Sequence, residues 1–218
     1  MKNYATYLFD LDGTITDSSL GITNSVIYAL KKFGIEETDR KKLYRFIGPP
    51  LTDSFARFYG FDEEQCEMGV VYYREYYSDR GIFENRVYDG FEDLLIGLKK
   101  AGKQLIVATS KPEPYARQII KYFHLEPYFD YVAGMEMNGG RGTKEEVIEY
   151  ALQVCGIHER SGVLMVGDRE HDVIGAKHAG IDCLGVLYGF GTREELEAAG
   201  ADYIVKLPEE ILKMAENK

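Results

Sequence analysis

The sequence predicts an α/β protein built on a doubly wound parallel sheet, with an all-helical segment inserted into it. Short apolar runs, such as residues 105–108 and 163–166, alternate with helix-length amphipathic segments. This alternation is typical of right-handed βαβ units and a parallel sheet. From residue 16 to about residue 86 the apolar residues instead recur with helical periodicity. We therefore expect a Rossmann-like sheet core that is interrupted by a helical cap.

The predicted domains are a discontinuous α/β core, residues 1–15 and 87–218, and a helical cap, residues 16–86. Within the cap, Asp17, Ser18 or Ser19 can cap a first helix, and Asp62 can cap a later one. The core elements are predicted, in chain order, as a strand at 7–9, a helix over 91–100, a strand at 105–108, a helix over 115–124, a strand near 129–132, a helix over 143–155, a strand at 163–166, a helix near 172–179, a strand near 184–187 and a short β-then-α tail.

The charge balance limits the classes of partner. The chain has 36 acidic against 26 basic residues and a formal net charge of −10, which argues against a general binder of nucleic acids or anionic membranes. We expect neither a signal peptide nor a membrane-spanning segment, because the first apolar-rich segment follows after only two residues and no apolar run is long enough to span a bilayer. Three widely spaced cysteines fit reduced thiols. We expect a cytoplasmic protein with a small-molecule partner; the oligomeric state is left open, and a monomer is compatible with the sequence.

The first strand carries the feature around which the chain is organised. The apolar residues 7–9 predict a strand that is buried on both faces. Asp10 and Asp12 follow this run, and Gly13 then allows a sharp turn. Open α/β sheets bind their ligands at the carboxyl ends of their strands. Two carboxylates so close together repel each other unless a cation lies between them or one is protonated. An acidic cap on an ordinary strand is the alternative.

Two further strand ends carry groups that suit an anion. Thr109 and Ser110 lie at a strand-to-helix junction, where a hydroxyl and free backbone N–H groups can form an anion cradle. Thr143 and Glu146 have the spacing of a capping box, which puts Lys144 in the first helical turn. A cation is disfavoured at that end of a helix. Lys144 therefore either has an anionic partner or extends into water.

A fourth strand end carries Gly167, Asp168 and, four residues further on, Asp172. If this strand neighbours the first, Asp168 joins Asp10 and Asp12 at one edge of the sheet. Three carboxylates make an oxygen-ligand set suited to Mg²⁺. Asp172 is then expected not to bind the metal itself but to orient Asp168 or a metal-bound water.

Taken together, the four clusters resemble the haloacid dehalogenase superfamily, and specifically its phosphatases. The similarity covers essentially the whole chain, including the helical cap. It lies closest to the phosphoglycolate-phosphatase-like group and, in residues 46–50, 108–112 and 167–173, to a branch described as 5′-nucleotidases. The motifs that carry it are Asp10-x-Asp12-Gly13-Thr14, Thr109, Lys144 and Gly167-Asp168-x-x-x-Asp172.

This resemblance implies a Mg²⁺-dependent phosphomonoester hydrolase. Asp10 would be the nucleophile that forms an aspartyl-phosphate, and Asp12 the general acid and base. The remaining roles that the resemblance implies are phosphate binding by Thr109, Ser110 and Lys144, and metal binding by Asp10, the backbone carbonyl of Asp12, and Asp168. Arg45 and Lys111 are candidate substrate contacts, with a surface role as an equal alternative for Arg45.

Two other functions remain open at this point. A sugar-phosphate mutase would use the same aspartyl-phosphate chemistry, although Gly48 is followed by Pro49, Pro50 and Leu51 rather than by the arginine that such mutases carry. A receiver-type signalling domain also combines acids with a hydroxyl and a lysine, but its phosphorylated aspartate lies on a middle strand. Nucleoside 5′-monophosphates and phosphoglycolate are both open as substrates.

Overall fold

A computed structural model of the chain describes residues 2–137 and 140–216. The chain divides into two compact units. We call Met1–Thr16 together with Val87–Lys218 the α/β unit, and Asp17–Arg86 the helical unit. Among the described residues, no helix is both long and apolar enough to cross a bilayer.

The regular elements follow one another in a strand-and-helix alternation outside the helical unit. The strands are β1 (Thr6–Phe9), β2 (Thr16–Asp17), β3 (Arg86–Val87), β4 (Gln104–Pro112), β5 (Tyr131–Met135), β6 (Val163–Gly167), β7 (Asp182–Val186) and β8 (Tyr203–Val205). The α-helices are α1 (Ser19–Lys32), α2 (Leu51–Tyr59), α3 (Glu63–Tyr76), α4 (Phe91–Lys100), α5 (Glu113–Tyr122), α6 (Lys144–Val154), α7 (Glu170–His178), α8 (Arg193–Ala199) and α9 (Pro208–Glu216).

The α/β unit is organised by a parallel sheet. In the described part of the chain this sheet has six strands in the order β5-β4-β1-β6-β7-β8, and each adjacent pair is parallel. The strand order reverses direction at β1, which has β4 on one side and β6 on the other. This is the topological switch point at which doubly wound sheets bind their ligands. The predicted fold class is confirmed.

Strand β1 is buried on both faces, as its apolar run predicts. On one face Leu8 belongs to a core cluster with Val147 and Val173, from helices α6 and α7. On the other face the Phe9 ring packs edge-on against Phe91, with ring centroids 5.5 Å apart. Helices on both faces therefore shield β1 from water, so the polar residues after Phe9 follow a rigid strand.

The helical unit has its own aromatic core. The Phe46 and Phe55 rings lie with centroids 5.2 Å apart, and Phe55 stacks on Phe61 at 5.6 Å. Tyr73 and Tyr77 are buried and stack at 5.2 Å. Asp62 caps α3 through a capping box, as predicted. The tyrosine-rich stripe of this unit is therefore packing material rather than a cofactor site.

Three local features differ from the sequence-based prediction. Strand β4 continues to Pro112, through a register shift between Thr109 and Pro112. Strands β2 and β3 form a two-stranded sheet that is too short to give a periodic pattern. Helix α8 was not predicted because only Leu196 among its residues is buried, so it lacks an apolar stripe.

Candidate active site

The register of the sheet decides which side chains meet. Phe9 is aligned with Val107 on β4 and with Val166 on β6. The next residue, Asp10, donates its backbone N–H to the carbonyl of Val166 over 2.9 Å. Asp10 therefore leaves the sheet beside Gly167 and one residue short of Asp168. The sequence predicted that Asp10 and Asp168 lie at one edge of the sheet if their strands are neighbours, and β1 and β6 are neighbours.

Three buried carboxylates gather at this edge. Asp10, Asp168 and Asp172 each offer one oxygen, and these atoms lie within 4.8 Å of one another. Burial, followed by the charges of Asp172 and Asp10, raises the pKa of Asp168 well above its ordinary value. Burial also raises the pKa of Asp172, and Lys144 partly opposes this effect. Such concentrated negative charge requires a cation.

Lys144 supplies part of the positive charge. The Thr143 capping box starts helix α6 at Lys144, and the Lys144 ammonium reaches Oδ1 of Asp10 at 2.6 Å and Oδ1 of Asp172 at 2.7 Å. Burial lowers the pKa of Lys144, but the two carboxylates more than compensate, so this pKa lies above its ordinary value. Lys144 therefore has anionic partners and does not extend into water, which were the two possibilities that the sequence left open.

Asp12 and Lys111 form a second buried ion pair. Oδ2 of Asp12 lies 2.7 Å from the Lys111 ammonium, and both side chains are buried. Oδ1 of Asp12 is also buried and has no hydrogen-bond partner among the described residues. The candidate substrate contact Lys111 thus lies next to the predicted general acid and base.

The predicted phosphate-binding hydroxyls lie at the end of β4, where its register shifts. Thr109 is buried, and its Oγ1 accepts a hydrogen bond from the Lys111 backbone N–H at 3.2 Å. Ser110 is half-buried. The ammonium of Lys144 also donates to the carbonyl of Ala108, at 3.1 Å. This carbonyl fixes the lysine to the strand that carries Thr109.

Arg45 belongs to the helical unit. Its side chain is exposed, and the guanidinium lies over the Phe58 ring, 4.0 Å from the centroid. A stacked guanidinium keeps its charge and most of its donors. A role for Arg45 in substrate binding stays a prediction.

Close packing around the site requires glycine at two positions, and no local sequence pattern indicates this requirement. A Cβ atom at Gly167 would overlap the Asp172 carboxyl group, and one at Gly175 would crowd the Lys144 side chain. The backbone N–H of Phe190 donates to Oδ2 of Asp168 at 2.7 Å. The only sequence signal for this contact is the Gly189-x-Gly191 pattern, which does not match a dinucleotide-binding fingerprint.

The donor set fits a magnesium ion. All candidate ligand atoms are oxygens, and Oδ1 of Asp168 is buried without a hydrogen-bond partner among the described residues. Asp172 is less available, since its Oδ1 pairs with Lys144 and its Oδ2 accepts the Arg169 backbone N–H at 3.0 Å. These contacts favour Asp10 and Asp168 as ligands. Ligation by the Asp12 backbone carbonyl, and the role of Asp172 in orienting Asp168 or a metal-bound water, stay predictions.

Comparison with known proteins gives the family. A sequence profile described as haloacid dehalogenase-like hydrolase matches residues 7–186. A protein of Pseudomonas aeruginosa named 5′-nucleotidase is 47% identical over 195 residues, which cover 89% of this chain and 88% of that protein. A crystal structure described as a predicted phosphatase from Clostridium acetobutylicum has a TM-score of 0.94 and 49% identity, and the match covers 98% of each chain.

Another relative has a different name. The tyrosine-protein kinase PtkA of Mycobacterium tuberculosis is 41% identical over 191 residues, 87% of this chain. The match spans 64% of that kinase, so its sequence extends well beyond the shared part.

The profile and the relatives confirm the resemblance found in the motifs. The chain belongs to the haloacid dehalogenase-like hydrolase family and is a hydrolase of phosphate esters.

Proposed function

We propose that the protein is a Mg²⁺-dependent phosphomonoester hydrolase that acts on small phosphorylated metabolites through an aspartyl-phosphate. The observation that carries this proposal is the bridge that Lys144 makes between Asp10 and Asp172 inside the carboxylate cluster. The lysine orients a buried carboxylate at a strand end, where it can attack a substrate, and the same ammonium is placed to bind the phosphoryl oxygens.

In the first step an oxygen of Asp10 attacks phosphorus, and the bond from phosphorus to the ester oxygen breaks. Asp12 delivers a proton to the departing alkoxide, which would otherwise be a poor leaving group. Lys144, Thr109 and the N–H of Ser110 bind the phosphoryl oxygens, where charge is redistributed in the transition state.

In the second step water attacks the phosphorus of the aspartyl-phosphate. Asp12, now a carboxylate, accepts a proton from that water, and the bond between phosphorus and Asp10 breaks. Inorganic phosphate leaves, and both aspartates return to their starting state. The ion pair with Lys111 holds the Asp12 carboxylate in one orientation for the second step. In the first step, in which Asp12 carries the proton, the Lys111 ammonium is released to contact the substrate.

Asp10, Asp168 and the backbone carbonyl of Asp12 would hold the magnesium ion. When bound, Mg²⁺ supplies positive charge that offsets the repulsion between the phosphate and the aspartates. Oδ1 of Asp168, which accepts no hydrogen bond from any described residue, supports this assignment.

Nucleoside 5′-monophosphates are the first substrates to test. The relative from Pseudomonas aeruginosa, named 5′-nucleotidase, supports this choice. Phosphoglycolate is the second candidate, from the resemblance to phosphoglycolate phosphatases. Lys111 is a possible contact for a further anionic or polar group of either substrate.

The test is a phosphate-release assay over a panel of nucleoside 5′-monophosphates, phosphoglycolate and pyrophosphate, each with Mg²⁺ and with excess EDTA. We expect release of inorganic phosphate from monoesters with Mg²⁺ only, and none from the Asp10→Asn variant. Activity retained in Asp10→Asn would contradict the proposal.

The same preparation separates the other candidate activities. Incubation with a sugar 1-phosphate that gives isomerisation without net phosphate release would favour the mutase alternative. Transfer of labelled phosphate from ATP to a tyrosine peptide, without monoester hydrolysis, would favour a tyrosine kinase activity, for which PtkA is named.

A further inference from the structure

A segment after β7, residues 188–195, packs directly on the predicted metal ligand Asp168. The Phe190 backbone N–H occupies Oδ2 of Asp168 at 2.7 Å. Oδ1 of the same carboxylate is buried and has no hydrogen-bond partner among the described residues. The two oxygens of Asp168 are therefore not equivalent: one is held by the protein and the other is available.

Two glycines allow this close approach. A Cβ atom at Gly191 would overlap the backbone carbonyl oxygen of Asp168. One at Gly189 would overlap the Gly13 carbonyl oxygen and the Asp168 side chain. Backbone therefore packs against backbone here, with no room for a side chain between the segment and the carboxylate. This explains the Gly189-x-Gly191 pattern that no sequence motif accounted for.

Both ends of the segment are anchored to loops of the active site. The Tyr188 hydroxyl donates to the carbonyl of Thr14 at 3.1 Å. Glu195 accepts hydrogen bonds on Oε1 from Nε of Arg169 at 2.7 Å and from the Glu170 backbone N–H at 2.9 Å. These bonds fix the Phe190 N–H relative to the loop that carries Asp168.

We propose that the 188–195 segment positions Asp168 so that Oδ1 alone is offered to the cation, and that it thereby sets a preference for Mg²⁺ over Ca²⁺. Mg²⁺ requires near-octahedral geometry and accepts single oxygens, whereas the larger Ca²⁺ readily takes both oxygens of a carboxylate. The inference rests on the proposed function, because it takes Asp168 as a metal ligand.

The first test variant is Gly191→Ala, which pushes the segment away from Asp168 and frees Oδ2. Gly162→Ala is the matched control, because a Cβ atom there meets only Ala5, at 3.9 Å. The dissociation constants of Mg²⁺ and of Ca²⁺ are measured separately by calorimetry on substrate-free full-length protein. For Gly191→Ala we expect Mg²⁺ to bind about tenfold more weakly and Ca²⁺ to change by less than about threefold, while the control matches the parent.

A second variant tests the same idea without crowding the backbone. Glu195→Ala removes the anchor to Arg169 and Glu170, and Glu197→Ala in the same helix removes only an exposed pair with Arg193. We expect the shift in the Mg²⁺ to Ca²⁺ ratio in Glu195→Ala and not in Glu197→Ala. If Gly191→Ala does not fold, this pair decides the question.

A ratio that stays at the parental value in the folded variants overturns the inference, as does an equal loss of affinity for both ions. These results leave the proposed function intact if the parent still releases phosphate with Mg²⁺. If the parent binds neither ion and hydrolyses monoesters in EDTA, the proposed metal dependence fails as well.

Discussion

The ammonium of Lys144 lies 2.6 Å from Oδ1 of Asp10, although 134 positions separate the two residues in the chain. Both side chains are buried, and Oδ1 of Asp172 lies 2.7 Å from the same ammonium. The lysine thus links the predicted nucleophile to helix α7, which begins two residues after the predicted metal ligand Asp168. Four testable consequences follow from this site.

Replacing Lys144 by Met should damage both activity and stability. Phosphate release should fall by about 10²–10³, because a donor to the phosphoryl group is lost. The free energy of unfolding in urea should fall by about 3–5 kcal/mol without metal, because the carboxylates lose their buried cation. The matched control is Lys99→Met, which removes a partly exposed pair with Asp130 and should cost only about 0–1 kcal/mol. Equal losses in the two variants would argue against a special role for Lys144.

The general acid can be recognised by its dependence on the leaving group. Asp12→Ala should slow hydrolysis of alkyl phosphates by about 10²–10⁴. For an aryl phosphate, whose phenolate leaves unaided, the rate of aspartyl-phosphate formation should fall much less. The measurement is a single-turnover burst with both substrate types. A uniform loss for all leaving groups would show that Asp12 acts in another way.

Lys111 should affect substrate binding in addition to the orientation of Asp12. Lys111→Met removes a charge-assisted hydrogen bond, which corresponds to about 10–100-fold in kcat/KM. If Lys111 contacts the substrate, most of this loss appears in KM, and Lys111→Arg restores part of it. A loss confined to kcat would instead assign Lys111 to Asp12 alone. Steady-state kinetics of the three proteins separate these cases.

The metal-free protein should gain stability when the charge of Asp168 is removed. Because the pKa of Asp168 is raised in the folded state, this state binds more protons than the unfolded chain above about pH 4, the ordinary range for Asp. The stability that protonated Asp168 contributes is therefore fully present below that pH and is lost as the pH rises towards the raised pKa. Asp168→Asn should melt about 2–4 °C above the parent at pH 8 in EDTA, with a smaller difference near pH 5.

Magnesium provides the control for that experiment. Increasing Mg²⁺ concentrations should raise the melting temperature of the parent by mass action and leave that of Asp168→Asn unchanged. A parent that melts higher as the pH rises from 5 to 8 in EDTA, relative to Asp168→Asn, would contradict the assigned direction of the pKa shift.

Local sequence signals were sufficient for much of the fold and for the set of residues that meet. The apolar run of β1 predicted a strand buried on both faces, and Thr143 with Glu146 predicted the start of α6. These signals are local, because the spacing of apolar residues and the pattern of a helix cap each involve only a few consecutive residues. The parallel sheet then brings the strand ends together without further information.

Other features depend on contacts between distant parts of the chain. Nothing near Lys111 indicates Asp12 as its partner, because this pair forms only after β4 aligns with β1. The need for glycine at positions 189 and 191 is likewise set by the backbone around Asp168 and Gly13. Helix α8 is held mainly by the Thr192 cap and by a single buried side chain, Leu196, a weak pattern in any single sequence.

The place where the chain leaves and re-enters the α/β unit has a consequence for how such proteins diversify. Ile15 and Tyr88 are joined by a backbone hydrogen bond of 3.1 Å, so the polypeptide returns almost to its point of departure. A foreign segment spliced between these two residues needs no particular length, since its ends already meet. Evolution or an engineer can thus exchange what lies between them, while the strand ends that carry Asp10, Thr109 and Asp168 keep their sheet.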